Sequence, residues 1–283
     1  MRRIVAVARN TFREAARNKV MYSLLLFAII LIVSALALGE LSVHEEQRMI
    51  RDVGLFGIDV FSVLIAIFVG VNLLYKELSL KTVYTILPKP IARWEFVLGK
   101  WVGVMATLVA QIAVMGLVLA ATLLVAQRGG GGAGGGGGGG GGGVGVGVDA
   151  VLDSALPKAL WLFLMNVTIV TAVAMLFSAF STPFLSGLFS LGVFLVGRQV
   201  PDLQQLAARI GGTSGDVLQG LTRLLPNLHL FTPSGTIVGA EHVSVHGHFV
   251  GAAYLGSVTA YALCYAALVL GLAMLIFRRR DFV

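Results

Sequence analysis

The long uncharged apolar runs decide what this chain can become. Val20 to Leu38 is 19 residues without a charge, and at about 1.5 Å per helical residue it nearly matches a hydrocarbon core of about 30 Å. Comparable runs cover Leu55 to Tyr75, with Asp59 the one charge in it, then Trp101 to Ala126, Ala159 to Gly197 and Phe249 to Phe277. Water cannot hold so many of them. The chain is 57% hydrophobic and 12% charged, with mean hydropathy +0.89, whereas soluble domains carry about 25% charge. In lipid, helices satisfy the backbone within each segment, so the expected fold is an all-α integral membrane protein. Its 283 residues leave room for about six spans and no large soluble domain.

Ala159 to Gly197 is 39 residues without a charge, too long for one span. "STPF", Ser181 to Phe184, supplies a turn near its middle, so two spans share the run. The second is short: it either extends to Val200 with Arg198 snorkelling or dips in and returns. The expected spans are therefore residues 20–41, 55–75, 101–126, 159–180, 184–200 and 249–277, within a single membrane domain. Ala35-Leu36-Ala37 has the form of a signal-peptide cleavage site, but the apolar region before it is too long for a signal peptide.

Lys and Arg set the orientation, because they collect on the cytoplasmic side. With six spans and both ends inside, residues 1–19 hold six of them, residues 76–100 five and Arg278 to Arg280 three. That is fourteen of the 21. Five spans would put the terminal arginines outside, against the rule. The formal charge of +7 acts through this distribution and does not imply a nucleic-acid partner.

Residues 1–19 also read as an amphipathic helix. Ile4, Ala8, Phe12 and Ala15 follow helical spacing, while Arg9, Arg13 and Arg17 recur at i, i+4 on another face. Such a helix lies along the inner membrane surface, with its apolar side in the interface and its arginines near anionic head groups.

Residues 76–100, "KELSLKTVYTILPKPIARWEFVLGK", form a basic cytoplasmic loop. Its first half suits a short helix ended by Pro88 and Pro90, and "IARWEFVLGK" can start a second helix leading into the third span. Exposed apolar residues beside charges fit a docking surface, with Arg93 and Trp94 as anchors. An interfacial hairpin with Trp94 and Lys100 in the head-group belt is the competing reading.

Elsewhere polar chemistry is sparse. The intramembrane polar residues are Asp59, Asn72, Gln111, Asn166, Thr168 and Thr171. Asp59 reads as lying near an outer end where water reaches, and Asn166 and Thr168 as joining helices. No chain of acids marks a proton relay. Cys264, the one cysteine, reads as a packing residue. Gly129 to Gly147 contains 16 glycines in 19 residues and is expected to be an external linker. The segment 198–248 is expected to carry two short amphipathic helices on or near the outer surface, built from "PDLQQLAARI" and "VLQGLTRLL". His242, His246 and His248 with Glu241 have metal-binding chemistry, although an ordinary polar loop accounts for them, and no metal is assigned.

With these features placed, the chain resembles the permease subunits of ABC-2 type ATP-binding-cassette exporters. The loop after the second span carries the family's order of residues: Glu77, Thr82, Pro90-Ile91-Ala92-Arg93, Phe96 and Leu98-Gly99-Lys100. Lys81 stands where the family often has Gly, and Pro88 is an addition. "LLPNLHLF", Leu224 to Phe231, resembles a segment between the last two spans in one branch of these permeases.

The resemblance implies that Glu77, Lys81, Thr82, Pro88, Pro90, Arg93, Trp94 and Glu95 form the coupling loop where a separate ATPase dimer docks. It further implies a second permease copy, forming a homodimer, and a multi-pass location in a bacterial or archaeal cytoplasmic membrane with both termini cytoplasmic. ATP and Mg would be held by the partner ATPase, since the chain lacks G-x-x-x-x-G-K-[ST]; membrane lipids are its other partners. The chain is thus expected not to be an enzyme by itself: it also lacks H-E-x-x-H and a nucleophile with a base at an intramembrane spacing. Export of a substrate is the leading function, and an ATP-driven mechanical relay acting on another envelope protein is the alternative.

Overall fold

The computed structural model describes residues 2–40, 46–79, 93–130, 155–232, 234–238, 241–244 and 251–279. The part of the expected short helix beyond Ser79, the glycine tract 131–147, His246 and His248 lie outside them. Nine helices occur among the described residues. Five are long and apolar enough to cross a membrane, or six when a bent pair counts as one span.

The first helix, α1 (Arg2–Ala15), is followed by a tight turn and α2 (Lys19–Glu40). Asn18 shapes that turn, its side-chain oxygen accepting from the Val20 amide at 3.0 Å. The α1 face does not simply lie in lipid, as the spacing of Ile4, Ala8, Phe12 and Ala15 had suggested. Ala8, Thr11 and Ala15 are buried, whereas Phe12 is exposed. The face packs on α4 (Arg93–Gly130), and Gly99 and Gly103 make the approach possible: a methyl group at Gly103 would sit 2.6 Å from the Ala8 carbonyl oxygen.

Helices α3 (Glu46–Ser79) and α5 (Ala155–Ser178) form the centre of the molecule. In their membrane windows 67% and 72% of residues are buried, against 22% for α2 and 28% for α9 (Ala252–Arg279). The two central helices run parallel in a fixed register. Asn166 Nδ2 donates to Asp59 Oδ1 at 3.1 Å, Ser178 Oγ donates to the Val71 carbonyl at 2.9 Å, and both pairs are 107 residues apart. Gly70 lets the backbones close, since a methyl there would meet the Ala174 Cβ at 3.1 Å. Thr168 and Thr171 bond the carbonyls of Leu164 and Val167 in their own helix, so Thr168 does not join helices as expected.

Helix α6 (Pro183–Arg198) starts on a proline and ends beside Gln199, where the chain bends by 67° into α7 (Val200–Ile210). Pro201 explains the break. In a continuous helix its ring would clash with the carbonyl of Gly197, four residues back. Helices α7 and α8 (Gly212–Leu224) pack together as a hairpin. Gly211 and Gly212, both at φ 63°, turn the chain between them, a left-handed conformation that glycine adopts without steric cost.

The hairpin leaves and rejoins the bundle at one place. A methyl at Gly197 would lie 2.7 Å from the Pro226 carbonyl oxygen, and Leu228 and Phe231 of the following 3-10 turn, Leu228–Phe231, are buried. Three tyrosines of α9 fasten this return: Tyr265 and Tyr254 donate to the carbonyls of Leu224 and Leu230, and Tyr261 accepts from the Asn227 amide. Beyond it, β1 (Ser234–Val238) and β2 (Glu241–Ser244) pair antiparallel, with Ile237 opposite His242. This small ribbon is an addition to an otherwise helical membrane fold. Cys264 is exposed on α9 instead of packed inside.

Candidate functional site

The residues expected to form the docking loop lie around the ends of two helices. Glu77 is in the last turns of α3, and Arg93 is the first residue of α4; Lys81, Thr82, Pro88 and Pro90 lie outside the described residues. Trp94 is 51% exposed and Glu95 is half-buried. An acidic residue in the first turn of α4 also favours helix formation there, because it faces the positive end of the helix dipole.

Lys100, one turn further on, is not in a head-group belt. It is 1% exposed, among the largest fully buried side chains, and its ammonium lies 5.2 Å from the centre of the Phe96 ring, within cation–π range. The interfacial-hairpin reading of this loop placed Lys100 in water and head groups, and its burial argues against that. From Arg93 to Gly130, α4 is unbroken for 38 residues, about 57 Å at 1.5 Å per residue. No break interrupts the helix between Trp94 and its far end.

A second polar centre lies inside the bundle. Asp59 is 3% exposed and bonded to Asn166, so it is shielded by the protein instead of open to water. Arg198 pairs with its other carboxylate oxygen, turning inward instead of snorkelling. The ion pair offsets the charge of a carboxylate that would be costly to bury alone. The Asn166 side-chain carbonyl in this cluster has no partner, and on α4 neither amide atom of Gln111, which is 4% exposed, has one. The cluster ties three helices, α3, α5 and α6, at the point where the fifth apolar segment breaks.

Sequence reasoning found Asp59 and Arg198 but not their pairing. They are 139 residues apart, and each was assigned by its distance from a run's end. The available signal was that two opposite charges fall in apolar segments otherwise free of charge. Lys100 was missed as a buried group because its motif position made it look like a loop terminus.

A family model for the ABC-2 family transporter protein matches residues 5–282. No curated protein matches the chain.

Proposed function

The chain belongs to the ABC-2 family of transporter proteins, and on that premise we propose that it couples ATP hydrolysis by a separate ATPase dimer to export of a substrate. Members of this family are the membrane components of ABC transporters and work with an ABC ATPase. The observation that carries the coupling reading is the continuity of α4 from Arg93, Trp94 and Glu95 to the far end of the span. Its base is gripped by α1 at Gly99 and Gly103, so the interfacial helix moves with it. We place the coupling surface at Glu77, Lys81, Thr82, Pro88, Pro90, Arg93, Trp94 and Glu95, facing the cytoplasm. The working unit is then a homodimer in a bacterial or archaeal cytoplasmic membrane, with both termini inside and rigid-body movement between its states. ATP and Mg belong to the partner.

The test is to purify the tagged chain from its native membranes, identify by mass spectrometry what accompanies it, and assay ATP hydrolysis, beside the variant Arg93→Ala/Glu95→Ala. A P-loop ATPase is expected with the parent. Loss of the Arg93 anchor and the neighbouring Glu95 carboxylate should weaken that complex by about 2 kcal/mol, roughly 30-fold. Absence of any ATPase under gentle conditions, with parent and variant behaving alike, would refute docking at this loop. ATP turnover that persists without cargo movement but shifts the α7–α8 hairpin would favour the mechanical relay.

A further inference from the structure

We propose that the cavity where α1, α2 and α3 meet is a binding site for the head group of an anionic phospholipid from the inner leaflet. The cavity has a volume of 880 Å³ and is lined by Arg13, Arg17 and Lys19, with Asn10, Glu14 and Asn72 among the other polar groups. Three cations against one carboxylate leave a net charge of +2 on these residues. Arg13 lies in the last turn of α1 and Arg17 in the turn that follows it, and both line the cavity, so they can converge on one anion. Among the described residues, Arg13, Arg17 and Lys19 form no ion pair with the protein itself. Guanidinium groups suit phosphate because their fork matches two oxygens at once.

The surroundings favour a lipid over a soluble anion. Directly below Lys19 the outward face of α2 is apolar and open, with Val20 42%, Tyr22 53%, Leu26 57% and Phe27 60% exposed. Acyl chains hanging from a phosphate in the cavity would lie along that face. Tyr22 is folded back at the same level, its hydroxyl donating to the Ala16 carbonyl at 2.5 Å, the posture of an aromatic at a membrane–water boundary. The excess positive charge selects lipids with net negative head groups over zwitterionic ones. Asn72 and Val69 bring the inner end of α3 into the same cavity, so a bound head group would bridge α1 to the helix that leads into residues 76–100.

Native mass spectrometry of the full chain, with whatever subunits accompany it, would test this by titration with phosphatidylglycerol and with phosphatidylcholine. Three variants each lose one charge: Arg13→Ala on α1 and Arg17→Ala in the turn after it, both lining the cavity, and Arg9→Ala, exposed on α1 but outside the cavity. The expected result is phosphatidylglycerol binding about tenfold weaker in the first two and changed less than about twofold in the third. Equal weakening in all three would mean diffuse surface charge and overturn the site. So would failure of the parent to prefer phosphatidylglycerol over phosphatidylcholine, or binding of glycerol phosphate as strong as that of the whole lipid. If alanine variants do not fold, Arg13→Lys/Arg17→Lys keeps the charge and loses the fork. About threefold weaker binding is expected from it, against none for Arg9→Lys, and identical behaviour of the two would overturn the site. None of these readouts involves ATP, so the outcome is independent of the coupling mechanism.

Discussion

At the scale of single residues, the Asp59–Arg198 pair is the position where one atom's loss should matter most. Asp59 is buried, and removing its partner leaves a carboxylate with only the Asn166 amide to offset its charge. Arg198→Ala should therefore destabilise the folded bundle by about 3–5 kcal/mol, read as a lower thermal inactivation midpoint in detergent. Asp59→Asn combined with Arg198→Met removes both charges and should recover most of the loss. If single and double variants fall equally, the pair is not what holds α6. This residue-level result was the least legible part of the sequence, because a pairing between sites 139 positions apart leaves no local trace in composition or periodicity. Cys264 shows the same limit: membership of an apolar run did not tell which side of α9 it would occupy, and it is exposed.

At the scale of elements, the grip of α1 on α4 rests on small residues. Gly103→Ala would put a methyl 2.6 Å from the Ala8 carbonyl oxygen and 2.6 Å from the Thr11 Cβ, both in a helix that cannot yield by rotating a side chain. Overpacking of this kind costs about 1–3 kcal/mol. The expected outcome is an α1 displaced from α4, read as labelling of a cysteine placed at Thr11, which is 2% exposed in the parent. Unchanged protection of that cysteine would show the contact to be loose. The amphipathic period of α1 was plain from its arginines, and the position of α4 from its apolar run. That the small-residue side of α1 meets protein was not, since lipid and a glycine-bearing helix make the same demand on an apolar stripe. The bend after α6 was closer to legible: a short uncharged run followed by Pro201 offered a snorkelling span or a return, and the structure has an inward ion pair with a hairpin excursion instead.

At the scale of the whole molecule, the proposed orientation, with both termini cytoplasmic, is one that labelling can check. With Cys264 replaced by alanine, a cysteine at Thr213, at the tip of the α7–α8 hairpin, should react with a membrane-impermeant maleimide on intact cells, and one at Arg9 only after permeabilisation. The reverse pattern would sink the proposed topology. The fold class was legible because lipid imposes one rule on every apolar run; the sixth span depends on the bent pair α6–α7, and the expected docking loop is outside the described residues over most of its length. The shortness of α6 has a bearing on how the molecule is built. Sixteen residues reach about 24 Å, short of a hydrocarbon core of about 30 Å, and Arg198 adds a charge at the end of the segment. Alone, such a helix is a poor candidate for release from the insertion machinery into lipid. Its counter-charge is already in place on α3, made 139 residues earlier, so the order of synthesis delivers the acceptor before the segment that needs it, and a ribosome reading the same helices in another order would leave α6 stranded.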